Sequence, residues 1–331
     1  MNEVSGEASP GPGRRRLPRS TYLAGFALLV LALVWGYSWV VAKVGVGQTQ
    51  PFTFAALRNL SAALLLLLVA AVMRRPIRPK ALGWLVLLGL LQTTGMVGFA
   101  MWALEEGGAG KTSVLVYTMP FWLLLMAWIV LGEQIRGVQW VAVTCALAGL
   151  VALLSPWRLE GVTSSALAVA SGLCWAASAV VVKLMRNRHS FDLLSLTGWQ
   201  MLFGAIPLVL IAALTFREAP EWSGSFVAAL SYQIVLSEAL GWFLWLYILK
   251  TLPASTAGVA VLATPVIAAV AAWAQLGERP DTFEAIGIGL IVLALLLITV
   301  QALRRRRGEQ PEASQAEFEQ ATGRQADLEG G

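Results

Sequence analysis

The chain has 331 residues, of which 57% are hydrophobic and only 13% charged, with a formal net charge of +5. Ordinary soluble domains carry about 25% charged residues, so this composition excludes a typical soluble enzyme. A membrane-crossing helix needs about 20 apolar residues, and the chain has room for about ten of them.

In chain order, residues 1–20 are rich in Pro, Gly and Arg and are expected to form a disordered cytoplasmic arm. The first apolar run follows without an A-x-A cleavage pattern. It is long for a secretory signal and is read as a retained helix. Helices are predicted at about 21–42, 53–73, 81–104, 110–131, 136–156, 164–185, 193–215, 225–250, 254–276 and 282–302. Breakers punctuate most junctions: Pro51, Pro76, Pro79, Gly107-Gly108, Gly132, Pro253, Gly277 and Pro280. Residues 303–331 hold four arginines and an acidic, Gln-rich stretch, expected to be a disordered cytoplasmic tail.

Lys and Arg set the orientation. With the amino terminus in the cytoplasm, the clusters Arg14 to Arg19, Arg74 to Lys80 and Arg304 to Arg307 all fall on that side. The other side holds only Lys43, Lys111, Arg158, Arg217 and Arg279. This asymmetry predicts both termini in the cytoplasm and an even number of spans. The same clustering explains the positive charge without a nucleic-acid partner.

The sequence contains itself twice. Trp35 and Ser38 leading to Lys43 are echoed by Trp175 and Ser178 leading to Lys183. Gly98 and Trp102 are echoed by Gly241 and Trp245. Pro120 with Leu131-Gly132-Glu133 is echoed by Pro265 with Leu276-Gly277-Glu278. The landmarks predict two five-helix repeats, residues 21–156 and 164–302. Five is odd, so the second repeat is inverted relative to the first, a construction typical of secondary transporters. The predicted fold class is thus an all-α polytopic membrane protein of ten transmembrane helices in two inverted-topology repeats.

These residues carry a family resemblance. The Trp35-Gly-Tyr-Ser-Trp stretch leading to Lys43, Arg58 in the second helix, and the Pro…Leu-Gly-Glu pattern present twice resemble the drug/metabolite transporter superfamily. Within it, the chain is similar to the ten-helix exporters made of two EamA domains, over roughly residues 21–302. The resemblance implies a bacterial inner-membrane carrier of amino acids, related metabolites or toxic small molecules.

Residues that can line a transport pathway follow from position. Trp35, Ser38, Trp39 and Ala42 share one face of the first helix, and Trp175, Ser178 and Val182 repeat part of it in the sixth. Tyr117 and Thr118 precede Pro120, and Thr264 precedes Pro265; their hydroxyls can reach the same cavity. Pro120 and Pro265 are expected near the middle of the fourth and ninth helices, as hinges or as fixed kinks. Polar groups inside spans are costly: Gln92 with Thr93 and Thr94, Arg58, Gln200 and Glu238. Arg58 either snorkels outward or faces the bundle, where it can hold a substrate carboxylate. Glu238 is the only acidic residue deep in a span, and its counter-charge must come from another helix, with Arg58 as one candidate. It can exchange a proton, serve as a neutral hydrogen-bond partner, or contact a substrate ammonium group.

The expected function is secondary active transport, with export of small metabolites such as amino acids or related amphipathic compounds. The expected partners are the small-molecule substrate, the lipid bilayer and protons as coupling ion. An importer or facilitator on the same fold is the alternative. A membrane-embedded enzyme would need a nucleophile with a base, or a metal cluster. The lone His189 lies in a charged loop, Cys145 and Cys174 lie in apolar runs, and HExxH and CxxC are missing, so neither catalysis, a metal nor a cofactor is expected. No GxxxxGK[ST] loop is present for a primary pump.

Overall fold

The computed structural model describes residues 19–131, 137–154, 161–186, 191–244, 248, 263–297 and 300. Gly132-Glu133, Trp157, His189, Trp245, Pro253, the small-residue run 254–260 and most of both terminal segments lie outside the described residues.

Every regular element among the described residues is a helix. α1 is Arg19–Val46, α2 is Pro51–Val72, and α3 is Leu82–Glu106. α4 runs in two pieces, Ala109–Val116 and Met119–Leu131, and α5 is Val138–Leu154. α6 is Val162–Arg186, α7 is Leu193–Leu214 and α8 is Gly224–Leu244. α9 is Ala263–Leu276 and α10 is Thr282–Leu297. Seven of these are long and apolar enough to cross a membrane, and α5, α9 and α10 contribute shorter apolar helices. The chain is an all-α multi-pass membrane protein.

The ends of the helices follow local chemistry. Pro51 opens α2 in its first turn, where its missing N–H has no helical partner to lose. Asp192 caps α7 by accepting from Ser195 N at 3.1 Å, and Ser223 caps α8 by accepting from Phe226 N at 3.1 Å.

Four features differ from expectation. α1 continues to Val46, so Lys43 sits in its last turn rather than in the following loop. The apolar Val44-Gly45-Val46 carries the helix on, because the Lys43 ammonium is satisfied by backbone carbonyls. The fourth helix does not bend about Pro120; it breaks at Tyr117–Thr118, and Pro120 falls in the first turn of the second piece. That placement suits a residue with no N–H to donate. The centres of α3 and α8 are π-helical, over Leu90–Val97 and Tyr232–Leu240. Pro207 lies inside α7, which runs through it unbroken.

Packing repeats the internal duplication. α1 packs on α8 and α9, while α6 packs on α3 and α4. α2 packs on α8, while α7 packs on α3; α2 meets α7, and α4 meets α9. Exchanging the two repeats helix for helix maps this pattern onto itself. The two π segments obey the same exchange, lying at matching places in α3 and α8. The α2–α7 seam is built of Ala62, Ala63, Leu66 and Ala70 against Leu194 and Met201. Small residues there let two backbones approach closely, which is how helices gain packing in lipid. The repeats are therefore interlocked rather than side by side, and their shared centre holds a cavity.

Candidate functional site

The cavity encloses about 90 Å3. A single water needs roughly 10–15 Å3 on this scale, so there is room for several waters or a small solute. α1 contributes Trp35, Ser38, Trp39 and Ala42, and α2 contributes Arg58 and Asn59. α3 adds Gln92, Thr93, Met96 and Met101, and α4 adds Tyr117. From the second repeat come Trp175 of α6, Gln200 of α7, and Ser237, Glu238 and Trp242 of α8.

One end of the chemistry is an ion pair. Arg58 Nη2 of the first repeat donates to Glu238 Oε1 of the second. Both residues are buried, at 8% and 6% exposure. Buried charges carry a desolvation cost that their mutual attraction and further hydrogen bonds must offset. The further bond is supplied by Trp242, whose Nε1 donates to Glu238 Oε2 at 3.1 Å. Trp242 sits one turn beyond Glu238, so its helical position delivers the indole to the carboxylate. Trp35 braces the same segment: its Nε1 donates to the Ser237 carbonyl at 2.9 Å, and its ring meets Trp242 edge-on at 5.7 Å. π-helical backbone frees carbonyls from regular pairing and marks functional positions in many helices.

The pair leaves hydrogen-bonding capacity unused. Among the described residues, Arg58 Nε and Asn59 Oδ1 are buried with no hydrogen-bond partner. A buried donor and acceptor left open beside a cavity are free to meet a ligand or water.

The opposite wall is aromatic. Tyr117 stands between Trp39 and Trp175, with ring centroids at 6.4 and 5.4 Å and edge-on geometry to each. Between wall and ion pair, Thr93 Oγ1 donates to Gln200 Oε1 at 3.1 Å, joining the π segment of α3 to α7. The cavity is therefore apolar and aromatic on one side, with a cation, an anion and amides on the other.

The structure brings together Trp35, Ser38, Trp39, Gln92, Tyr117, Trp175, Gln200, Arg58 and Glu238. Thr118, Ser178 and Thr264 are buried outside the lining. The hydroxyls of Thr118 and Ser178 donate to carbonyls three residues earlier, Leu115 at 2.6 Å and Trp175 at 2.7 Å. Thr264 stands behind the Tyr117 hydroxyl. Pro120 and Pro265 also lie off the cavity, beside the segments that line it. Sequence reasoning left Asn59 and Trp242 out of the site. Asn59 carried a usable signal, since it is a second polar residue beside Arg58 in an apolar helix. Trp242 carried one too, at i+4 from Glu238. Among the described residues no cluster of three His, Cys, Asp or Glu side chains gathers to hold a metal.

Comparison with known proteins places this architecture. The EamA-like transporter family matches residues 23–155 and again 163–300. The uncharacterized transporter YoaV of Bacillus subtilis is 28% identical over 288 residues, covering 84% of this chain and 97% of the relative. The uncharacterized inner membrane transporter YedA of Escherichia coli is 26% identical over 283 residues, covering 83% and 90%. A WAT1-related chloroplastic protein of Arabidopsis thaliana is 26% identical over 314 residues, covering 90% and 72%. A solved crystal structure superposes with a TM-score of 0.60 at 19% identity, over 85% of this chain and 98% of the other, and so shares the fold. Matched over both of its halves, the chain belongs to the EamA-like transporter family.

Proposed function

We propose that this transporter exports small amphipathic metabolites, amino acids or related compounds, across the inner membrane by alternating access in exchange for protons. The observation that carries the reading is the buried Arg58–Glu238 pair in an aromatic-walled cavity where the two repeats meet. A zwitterion can substitute for each member of the pair at once, its carboxylate on the Arg58 guanidinium and its ammonium on Glu238. The apolar part of the solute then packs on Trp39, Tyr117 and Trp175.

The pair also links solute to proton. A proton on Glu238 removes the charge that either Arg58 or a substrate ammonium needs. Proton and solute thus compete for one carboxylate, which is the requirement for exchange. Arg58 belongs to the first repeat and Glu238 to the second, so relative motion of the repeats acts directly on the site. The four-fold interleaving of α1, α6, α3 and α8 around the cavity supports such motion, because each wall has a counterpart in the other repeat.

The direct test is counterflow in proteoliposomes. Vesicles preloaded with an unlabelled amino acid should transiently accumulate the labelled one, for at least one zwitterion with an apolar side chain. Flat traces across a panel of zwitterions would remove the substrate class. Orientation is tested separately. Reporter fusions at Gly308 and Ser190 are expected to read cytoplasmic and a fusion at Gly108 periplasmic; a periplasmic Ser190 would contradict the inverted arrangement in the membrane.

A further inference from the structure

Asn59 is wholly buried in α2, and only the nitrogen of its amide is engaged. Nδ2 donates to the Ala55 carbonyl one turn back, at 2.8 Å. That bond fixes the orientation of the amide, since exchanging its oxygen and nitrogen would set Oδ1 against the same carbonyl. Among the described residues Oδ1 meets no donor. The place of the residue is set by helical spacing. Ala62, Ala63 and Leu66 follow it by three, four and seven positions, so Asn59 continues the face of α2 that packs on α7. The seam gives way to the cavity there, and Asn59 and Met201 both line it. An amide oxygen buried without a donor costs free energy, and an unpaired group of this kind calls for a use.

The neighbouring guanidinium is open as well. Glu238 takes Arg58 Nη2 through Oε1 alone, because Trp242 Nε1 holds Oε2 at 3.1 Å. The carboxylate therefore binds by one oxygen rather than as a fork, and Arg58 Nε keeps a buried proton with no acceptor among the described residues. Nη1 faces the Met101 sulfur at 3.8 Å, a weak acceptor. An unused N–H on a cation and an unused amide oxygen, on successive residues, thus belong to one cavity wall.

Resting on the zwitterion reading above, we propose that Asn59 Oδ1 is the second acceptor for the substrate ammonium, and that Asn59 thereby selects primary amines. The substrate carboxylate lies on Arg58, where Nε and Nη2 share one edge of the guanidinium and can hold both of its oxygens. One ammonium N–H goes to Glu238 and a second to Asn59. An analogue with a single donor in place of the ammonium satisfies one of these acceptors and leaves the other buried and unpaired. A site built to hydrogen-bond a polar group rejects such analogues far more strongly than an apolar pocket rejects a missing methylene. Asn59 is thus a specificity determinant, while the aromatic wall serves the apolar part of the solute.

The test is competition in counterflow, with labelled L-leucine, L-methionine and L-phenylalanine as probes. Two competitors of each keep its carboxylate and side chain. The 2-hydroxy acid replaces the ammonium by one O–H, and the N,N-dimethyl derivative keeps the positive charge with one N–H. In the parent both should compete only at concentrations about tenfold or more above that of the amino acid. Asn59→Ala removes the acceptor, and both ratios should fall by about tenfold, the contribution of Glu238 being common to the two proteins. Asn59→Val removes the same oxygen with less loss of volume and should give the same ratios. Asn59→Asp keeps an oxygen in place and should keep the parent ratios, which also reports a folded protein. Relaxation confined to the N,N-dimethyl compounds would mean that alanine only makes room for methyl groups. Unchanged ratios would mean that Oδ1 meets water alone, and ratios that fall as far in Asn59→Asp would mean that the oxygen is not what selects. Any of these three results overturns the assignment while leaving the zwitterion reading intact. Absence of counterflow for all three amino acids in the parent defeats that reading itself.

Discussion

Arg58→Met should destabilise the folded protein by about 3–5 kcal/mol, because it strands the Glu238 carboxylate in the interior without its counter-charge. The geometry makes this one of the largest single effects available. Both side chains are almost wholly buried, and among the described residues Glu238 has the Trp242 indole alone as a second partner. The double variant Arg58→Met/Glu238→Leu should recover most of the loss, since apolar residues of similar size often replace a buried pair with no net cost. Transport should be absent in both. Thermal unfolding of purified protein in detergent measures the first quantity and counterflow the second. A double variant no more stable than Arg58→Met would show that the pair is not what Arg58 contributes.

Much of this arrangement was legible in the sequence because hydrocarbon permits so little. Apolar runs of the right length, interrupted by Pro51, Gly107-Gly108 and Gly277, have few alternatives to helices. The two repeats were legible because their landmarks, Trp35 and Trp175 or Pro120 and Pro265, are chemically distinctive residues within a monotonous alphabet. Arg58 and Glu238 stood out for the same reason: a charge deep in a span must find an opposite charge, and few were on offer.

The rest was hidden for identifiable reasons. The π segments of α3 and α8 leave no mark in the hydropathy pattern, since the few polar residues they hold, such as Gln92 and Glu238, do not tell a π-helical turn from an α-helical one. Lys43 reads as lying just past the end of α1 because charge usually ends a span, yet carbonyls of a neighbouring turn satisfy it inside the helix. Pro120 announced an irregularity in the fourth helix but not its form. The helix stops at Tyr117–Thr118 and restarts, which turns the Tyr117 ring toward Trp39 and Trp175. Trp242 was obscured by the chain's many other tryptophans, exposed Trp222 among them. Its role is set by the donor it aims at Glu238, and direction is a property of packing that no single position reveals.

Glu238→Gln should abolish accumulation driven by a pH gradient while leaving exchange intact. Glutamine keeps the shape of the neutral acid, and its single amide oxygen can accept from Arg58 or from Trp242, which in the parent bind different carboxylate oxygens. It cannot titrate, so a cycle that carries a proton on this side chain loses its driving force. One pH unit is worth about 1.4 kcal/mol, or about a tenfold accumulation ratio for one-to-one exchange. Vesicles with a lumen one unit more acidic than the bath should concentrate the labelled solute about tenfold with the parent protein, and not at all with Glu238→Gln. Counterflow at equal pH should persist in the variant. Its apparent affinity should fall by about tenfold, because an amide oxygen accepts from an ammonium group without the charge that roughly doubles such a bond. The contrast between driven and undriven transport separates coupling from binding. A residue that only bridged helices would lose neither mode when its neutral isostere took its place. A residue that only bound solute would lose affinity in both modes alike, yet still reach the driven plateau. If Glu238→Gln concentrates solute as the parent does, the proton is carried elsewhere, and the Arg58–Glu238 pair serves recognition or packing alone.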